Sequence, residues 1–143
     1  MMIINRHGSA EWSGSFRTGH GHITTESGAL ANYPYRYASR FEGLHGSNPE
    51  ELLGASLAAC FTMALSRALE KDGYVADMLT TAAEVKLEAS NGSYQIPAIA
   101  LKLVGRVPGL SDDQLAAYAR ATKDHCPVSK ALAAIEITLS ELA

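Results

Sequence analysis

The longest apolar run of the sequence lies between Leu52 and Leu65, where only Ser56 and Thr62 carry polar side chains. The apolar residues of this run fall on every face of a helix instead of forming one stripe. A helix with that pattern is normally buried on all sides. We therefore predict a central helix that is buried around its whole circumference.

Capping residues mark both ends of this central helix. Asn48 suits the N-cap position, Pro49 suits the first helical position, and Gly73 is a typical residue to end a helix. The helix is predicted to run from Pro49 to Asp72, a length of about 36 Å. A chain of 143 residues has little core with which to surround such a helix, so we expect a second subunit to cover part of it.

The chain before the central helix is predicted to be extended. Residues 3–14 and 17–28 are rich in Gly and Ser, lack a helical period, and are predicted to form two short strands. A third extended segment, residues 33–42, alternates mostly aromatic positions with other side chains. In a strand this alternation places Tyr37 and Arg40 on opposite faces.

Alternation with a period of two also follows the central helix. Residues 83–89 are predicted to form a half-buried strand with the odd-numbered residues on its buried side. The dipeptide Asn91-Gly92 predicts a hairpin turn, and residues 99–104 are predicted to form the return strand.

Helix signals return towards the end of the chain. Ser111 and Gln114 fit a capping box for a helix that runs to about Lys123. Pro127 suits the first turn of a further short helix, and a last strand is predicted at residues 135–139.

The order of these elements predicts an α+β fold, with the long central helix packed against antiparallel strands, in one domain of residues 1–143. The formal net charge is −3, from 12 basic and 15 acidic residues, without a basic run, so we expect neither nucleic acid nor a membrane surface as a partner. The longest apolar run is shorter than the roughly 20 residues that cross a bilayer. The first residues lack the apolar core of a signal peptide, so we expect a cytoplasmic protein.

Two cysteines, Cys60 and Cys126, are the main candidates for chemistry. Their spacing excludes a local Cys-x-x-Cys motif, and two cysteines are too few for a four-cysteine zinc site. A cysteine on an apolar helix, such as Cys60, is about as often a small core residue as a reactive thiol. Cys126 lies at the positive end of the short helix that begins at Pro127, which favours a thiolate. These local features leave open which cysteine reacts first.

Arg40 and Glu50 flank the loop of residues 43–47 that precedes the central helix. A buried thiolate needs a fixed positive charge nearby, and an arginine held by a carboxylate provides one in a defined orientation. Taken singly, Arg40 is more simply a solvated strand residue and Glu50 a carboxylate at the positive end of a helix.

The spacing of Glu50 and Cys60 constrains how they share a site. On one straight helix they lie about 15 Å apart along its axis. Arg40 must bridge that gap, or Glu50 must come from a second subunit. We therefore predict a two-fold homodimer with sites at its interface. The following small residues would let two such helices approach closely: Gly54, Ala55, Ala58 and Ala59.

Histidines provide weaker candidates. His20 and His22 share a face of the second predicted strand and are compatible with a metal site, but no third ligand is evident and solvated histidines are more common. His125 has the chemistry of a base for Cys126, although neighbours along a backbone rarely have the required geometry.

Several motifs follow one another in order along the chain. They are Thr25-Glu-Ser-Gly-Ala-Leu30, Pro34-Tyr35, Arg40-Phe-Glu-Gly43, Asn48-Pro-Glu-Glu-Leu-Leu53, Ala58-Ala-Cys-Phe61, Met63-Ala-Leu65 and Cys126-Pro-Val-Ser129. Together they resemble the OsmC/Ohr family, and in particular its branch of osmotically inducible OsmC proteins. The sequence departs from that pattern at Leu57, where close relatives often carry histidine, and at Ser47, where threonine is common.

This resemblance implies a fold, an activity and a set of site residues. Members of the family are intertwined α+β homodimers with two sites at the subunit interface, and they are cysteine-based peroxidases that reduce organic hydroperoxides. By resemblance, Cys60 is the attacking (peroxidatic) cysteine and Cys126 the resolving cysteine. Arg40 is then the activator of the thiolate, and Glu50 is the anchor that holds Arg40.

The resemblance also implies partners. It implies no bound cofactor and no metal, and an external thiol or dithiol of the dihydrolipoyl type, or a lipoylated protein, as the reductant. We expect Phe61 and Met63 to contribute to an apolar entrance that favours organic hydroperoxides over hydrogen peroxide. The alternative function is a non-enzymatic dimer of the same fold that senses redox state or binds a small ligand.

Overall fold

The computed structural model describes residues 1–142 of the chain, and the side-chain surroundings of residues 1–140. The chain divides into two compact units, Met1–Pro49 and Glu50–Ala143. The elements observed are those of an α+β protein, as predicted. The single domain of residues 1–143 stays a prediction.

The first unit is built on a three-stranded antiparallel sheet. Its strands are β1 (Gly8–Ser13), β2 (His20–Thr25) and β3 (Tyr33–Tyr35), in the order β1-β2-β3. Gly21 in β2 lets two aromatic rings close over the strand, because a Cβ there would lie 2.6 Å from the ring of Tyr35 and 2.9 Å from that of Trp12. Both predicted N-terminal strands are confirmed, with shorter bounds.

The prediction of an extended chain is wrong beyond Tyr35. Residues Tyr37–Phe41 form a helix, α1, whose first turn is closed by reciprocal bonds between Arg36 and Ser39. The N–H of Arg36 donates to Ser39 Oγ at 2.9 Å, and the N–H of Ser39 donates to the carbonyl of Arg36 at 3.2 Å. A five-residue helix is too short to reveal a period of 3.6. Arg40 therefore lies on a helix, three positions after Tyr37 and near the same face.

The second unit contains the remaining elements. They are α2 (Pro49–Lys71, which begins at the boundary), β4 (Met78–Val85), β5 (Glu88–Ser90), β6 (Ser93–Gln95), β7 (Ala98–Arg106), α3 (Asp112–Thr122), α4 (Pro127–Ala131) and β8 (Glu136–Leu142). β4 pairs with β7 in antiparallel fashion, and β8 pairs with the other edge of β7 in parallel. This sheet is therefore mixed, whereas only antiparallel strands were predicted. The parallel pairing is made possible by the crossover through α3 and α4.

Local turn and cap signals are confirmed in the second unit. Asn91 and Gly92 have φ of 51° and 74°, the left-handed values that a tight hairpin turn between β5 and β6 requires. At the start of α3 the N–H of Gln114 donates to Ser111 Oγ at 3.2 Å, and the N–H of Ser111 donates to Gln114 Oε1 at 2.9 Å. These reciprocal bonds satisfy helix-end donors that would otherwise have no partner.

The central helix α2 ends one residue before its predicted end, and Gly73 follows it with φ of 85°. Its buried residues form one stripe: Glu50, Gly54, Leu57, Phe61, Leu65 and Leu69. The opposite side is open, and Met63 is 77 % exposed. Within one chain the sheet, α3 and α4 cover one face of α2, so burial of the whole circumference by a second subunit stays a prediction.

The core of the second unit lies between α2, the sheet and α3. Leu57, Phe61 and Leu65 are fully buried and pack with Ile99 and Leu101 of β7. The odd-numbered residues of β4 and β7 turn inwards, as predicted for residues 83–85 and 99–104. Together these side chains fix the position of the middle of α2.

The predicted strand of residues 83–89 is wrong beyond Val85, because β4 ends there, a separate strand β5 begins at Glu88, and Ala89 is exposed.

The length and apolarity of α2 are those of a membrane span. Among the described residues it is the one helix with this property, with a mean hydropathy of 1.6 over its most apolar window. The core helix of a soluble protein has the same properties, and the fully buried Phe61 and Leu65 place one face of α2 in a core. The absence of a membrane partner stays a prediction.

Candidate active site

Cys60 lies in the middle of α2, at the edge of the stripe that packs into the core. It follows Leu57 by three positions and precedes the fully buried Phe61 by one. The thiol of Cys60 is half-buried and packs against the core cluster. The core packing of α2 therefore holds Cys60 at a defined point between the core and the open side of the helix.

Cys126 is the N-cap of α4, and its backbone is extended, with φ of −75° and ψ of 150°. Pro127 occupies the first helical position. A backbone N–H there would have no partner within the helix, so proline loses no hydrogen bond by lacking it. Cys126 Sγ accepts a hydrogen bond from the backbone N–H of Ser129 at 3.4 Å and lies 3.0 Å from Ser129 Oγ. Cys126 is fully buried, and Ser129 is 5 % exposed. The prediction that Cys126 lies at the start of a short helix is confirmed.

The structure brings the two cysteines together although 66 residues separate them in the sequence. Both thiols are free, and they lie close enough for each to shift the pKa of the other. The backbone amide of Val128, in the first turn of α4, lies near both sulfurs and lowers the pKa of each. The coupling of the two free thiols makes Cys60 and Cys126 a candidate redox pair.

The two thiols have different electrostatic surroundings. Burial raises the pKa of Cys60, and the neighbouring Cys126 raises it further through a hydrogen bond and its charge, against a lowering by the Val128 N–H. Burial also raises the pKa of Cys126, but the hydrogen bonds from Ser129, from Cys60 and from the Val128 N–H outweigh it, so the pKa of Cys126 lies below the ordinary thiol value. Within this unit Cys126 is the better-stabilised thiolate, and Cys60 is the more accessible thiol.

Arg40 lies on α1 in the first unit, beside an aromatic pocket. Its guanidinium carbon lies 5.3 Å from the ring centroid of Phe41. The pocket encloses about 250 Å³ and is lined almost entirely by apolar surface of Trp12, Phe16, Tyr35, Arg36, Tyr37, Arg40 and Phe41. Phe16 packs edge to face on Tyr37 at 5.3 Å, and Arg17 lies 4.9 Å above the Tyr37 ring. The structure therefore places Arg40 at the wall of a compact aromatic cavity.

Glu50 is near the start of α2 and is only 7 % exposed. A buried carboxylate needs a positive or hydrogen-bonding partner to offset the loss of water. Arg40 belongs to the unit of residues 1–49 and Glu50 to the unit of residues 50–143. The pairing of Glu50 with Arg40, and the roles of both at the thiols, stay predictions.

The histidines that sequence patterns suggested as metal ligands have other surroundings. His22 Nδ1 is 3.0 Å from Glu11 Oε1, and the rings of His20 and His22 lie 6.3 Å apart in an edge contact. Within residues 1–142 no group of three or more His, Cys, Asp or Glu side chains is arranged to hold a metal ion. His125 is exposed and lines a groove beside Cys126.

Two parts of the site were missed by sequence reasoning. Ser129 contacts the sulfur of Cys126, and the amide of Val128 lies near both sulfurs. The position of Ser129 three residues after an N-cap cysteine could have predicted its contact. The aromatic pocket formed by Trp12, Phe16 and Tyr37 was not foreseen, because its members come from β1, the β1–β2 loop and α1.

Phe61 does not line an entrance, because it is fully buried in the core. The expectation that Phe61 contributes to an apolar entrance is wrong, since its neighbours on the α2 stripe also point into the core. Met63 is exposed on the opposite side of α2.

The fold and the site define an α+β protein with a reduced cysteine pair, one thiol on a long central helix and one at the N-cap of a short helix. The family model described as OsmC-like protein matches residues 42–140. Peroxiredoxin OsmC of Escherichia coli (strain K12) is 44% identical over 138 residues, which cover 96% of each chain. The chain therefore belongs to the OsmC-like family.

More distant relatives agree with this assignment. Organic hydroperoxide resistance protein OhrB of Bacillus subtilis (strain 168) is 30% identical over 112 residues, 78% of this chain and 80% of that protein. A crystal structure of an organic hydroperoxide resistance protein OsmC from Legionella pneumophila superposes over 100% of both chains, with a TM-score of 0.73 and 22% identity. At that identity the likeness shows the fold alone.

Proposed function

We propose that this protein is a cysteine-based peroxidase that reduces organic hydroperoxides to alcohols, with Cys60 as the peroxidatic and Cys126 as the resolving cysteine. The observation that carries the proposal is the closeness of two free thiols of unequal exposure, each of which shifts the pKa of the other. A hydroperoxide that arrives from solvent meets the half-buried Cys60 before the fully buried Cys126. The 44% identity to a relative named peroxiredoxin supports the same reaction class.

The reaction proceeds through ordinary thiol chemistry. The Cys60 thiolate attacks the outer oxygen of the hydroperoxide, the O–O bond breaks, and the alkoxide takes a proton and leaves as the alcohol. Cys60 is thereby oxidised to a sulfenic acid. The Cys126 thiolate then attacks the Cys60 sulfur, a disulfide forms, and hydroxide leaves and is protonated to water. An external dithiol reduces the disulfide by exchange and becomes a disulfide itself.

Arg40 and Glu50 complete the proposed site. The pKa of Cys60 is raised by burial and by Cys126, so Cys60 needs a positive charge to become a thiolate at neutral pH. Arg40 provides that charge and also stabilises the departing alkoxide. Glu50, buried at the start of α2, holds the guanidinium in place.

The aromatic pocket supports an organic substrate. A cavity of about 250 Å³ with an almost wholly apolar lining accommodates an aryl or branched alkyl group. Hydrogen peroxide has no group to place in it. Because Arg40 forms part of the wall, a substrate that fills the pocket has its peroxide group near a guanidinium.

The open side of α2 supports a homodimer. It carries the exposed Met63 and the small residues Ala55 and Ala59 on a helix of 23 residues. An antiparallel second copy of α2 fits such a face, because small side chains allow close helix approach. We further expect the protein in the cytoplasm, with a dihydrolipoyl-type dithiol or a lipoylated protein as reductant.

The second candidate is a redox sensor or small-ligand carrier of the same fold. The same pair of thiols and the same aromatic pocket are compatible with it. A sensor is oxidised without rapid turnover, whereas a peroxidase consumes hydroperoxide continuously while reductant lasts. Rapid catalytic consumption of hydroperoxide therefore distinguishes the peroxidase from this candidate.

The oxidation chemistry can be read by mass spectrometry. One equivalent of cumene hydroperoxide should remove the two thiol hydrogens of the reduced wild-type protein within seconds. Cys126→Ser should accumulate a sulfenic acid that dimedone traps, and Cys60→Ser should not react, because Cys60 is the attacking group. Rapid oxidation of Cys60→Ser at Cys126 would reverse the proposed order.

Arg40→Ala should slow the oxidation of Cys60 by about a hundredfold, because the thiolate and the departing alkoxide lose their cation. Arg40→Lys should recover part of the rate, since lysine keeps the positive charge but lacks the planar guanidinium with its paired N–H donors. Stopped-flow measurement of the first oxidation step gives both values. A rate equal to the wild-type rate in Arg40→Ala would remove Arg40 from the mechanism.

Phe16→Ala should lower kcat/KM for cumene hydroperoxide about tenfold, because the aryl group loses a wall of its pocket. The rate with hydrogen peroxide should change far less. Trp12 is the single tryptophan of the chain and lines the pocket, so its fluorescence should also report binding of the product alcohol. Tyr94→Ala, at an exposed aromatic of β6 outside the pocket, is the matched control. An equal loss with both peroxides would contradict the role of the pocket.

Sedimentation analysis tests the homodimer. The wild-type protein should sediment as a dimer at micromolar concentration, and Met63→Glu should shift it to a monomer, because a carboxylate is costly to bury between two helices. Met63→Leu keeps the apolar surface and should remain dimeric. A monomeric wild-type protein under these conditions would refute the second copy.

A further inference from the structure

The two sulfurs of the pair are unequal in ways that bear on how the disulfide is reduced. In thiol–disulfide exchange an incoming thiolate attacks one sulfur and the other leaves as a thiolate. The reaction is faster when the attacked sulfur is accessible and the leaving thiolate is well stabilised. In this structure the two requirements are met by different cysteines.

Stabilisation of a leaving thiolate is found at Cys126. The backbone N–H of Ser129 donates to Cys126 Sγ at 3.4 Å, and Ser129 Oγ lies 3.0 Å from the same sulfur. Ser129 is 5 % exposed, so little water competes for its hydroxyl. When Cys126 becomes a thiolate it can only accept, and both the N–H and the O–H of Ser129 then donate to it.

Accessibility is found at Cys60. Cys60 is half-buried, whereas Cys126 has no exposed surface. A groove of about 480 Å³ between α2 and α3 does reach the region of Cys126, with Arg67, Lys71 and His125 along it. Because Cys126 remains fully covered, this groove does not give a thiol direct access to its sulfur.

Resting on the proposed peroxidase function, we propose that the external dithiol attacks the Cys60 sulfur of the disulfide, and that Ser129 is a positioning residue that stabilises the departing Cys126 thiolate. The bond between Cys60 Sγ and the reductant sulfur forms as the Sγ–Sγ bond breaks, and its electron pair goes to Cys126. The second thiolate of the dithiol then attacks the reductant sulfur that is bonded to Cys60, and the Cys60 thiolate is released. Two electrons and two protons pass from the dithiol to the cysteine pair, and the dithiol leaves as a cyclic disulfide.

The same contacts serve the oxidative half of the cycle. A Cys126 thiolate held by Ser129 is ready to attack the sulfenic acid at Cys60. Ser129 therefore stabilises the Cys126 thiolate both when Cys126 is the nucleophile and when it is the leaving group. Its two hydrogen bonds to sulfur both go to Cys126, whereas the Cys60 thiol is influenced by the backbone amide of Val128.

The attacked sulfur can be identified in the wild-type protein. The disulfide is prepared with diamide, so no peroxidase activity is needed, and it is exposed briefly to a monothiol such as 2-mercaptoethanol before an acid quench. Peptide mass spectrometry should find the mixed disulfide mainly on Cys60. A mixed disulfide mainly on Cys126 would overturn the proposal.

The role of Ser129 is tested by paired variants. In a Cys60→Ser background, Ser129→Ala should raise the pKa of Cys126, read from the ultraviolet absorbance of the thiolate as pH increases, because the thiolate loses the hydroxyl donor. Ser129→Thr keeps the hydroxyl and should restore the titration. With both cysteines present, Ser129→Ala should slow reduction of the disulfide by dithiothreitol about three- to tenfold, and Ser129→Thr should recover it.

The outcomes separate this proposal from the proposed function. An unchanged Cys126 titration and an unchanged reduction rate in Ser129→Ala would remove Ser129 from the mechanism. A protein that fails to consume hydroperoxide would defeat the peroxidase assignment, while the diamide-prepared disulfide would still show which sulfur is attacked. If Ser129→Ala does not fold, the mixed-disulfide experiment on the wild-type protein still decides the direction of attack.

Discussion

The packing that brings Cys60 and Cys126 close together is the constraint on which the chemistry of the second unit depends. Cys60 is fixed by the packing of α2, and Cys126 is fixed as the N-cap of α4. The two sulfurs meet only if α4 packs against the middle of α2. Val128 in α4 and Leu132, the residue directly after α4, accordingly pack against the same core cluster as Phe61. The apolar core therefore sets the distance on which the thiol chemistry relies.

Core packing brings the thiols together but makes them unequal. Full burial would ordinarily keep Cys126 protonated. Hydrogen bonds from Ser129 reverse that effect and lower its pKa, while Cys60, without such a set of donors, has a raised pKa. The two sulfurs are thus suited to different steps, one as the accessible atom that is attacked and the other as the stabilised thiolate that attacks or leaves.

Sequence reasoning succeeded where a few neighbouring residues determine the structure. The capping box of Ser111 and Gln114 and the turn at Asn91-Gly92 depend on local hydrogen bonds and backbone preferences, and both are present. The helix at Tyr37–Phe41 was missed because five residues are too few to show a period. The parallel pairing of β8 depends on a long crossover, which no local pattern encodes.

The candidate site shows the same limit. That Cys60 and Cys126 meet followed only from the family resemblance, because a pairing across 66 residues leaves no local signal. The Ser129 contact, by contrast, follows from its place three residues after an N-cap. Local rules therefore describe how each cysteine is held, and the tertiary fold decides that the two are held together.

The raised pKa of Cys60 carries a consequence for the whole site. Burial and the adjacent Cys126 both oppose ionisation of Cys60, so Cys60 forms a thiolate less readily than an ordinary thiol. A positive charge close to the thiol lowers such a pKa. Arg40, on a short helix of residues 1–49 and at the wall of an apolar pocket, has the permanent charge this requires. The proposed mechanism assigns both substrate binding and thiol activation to this one arginine.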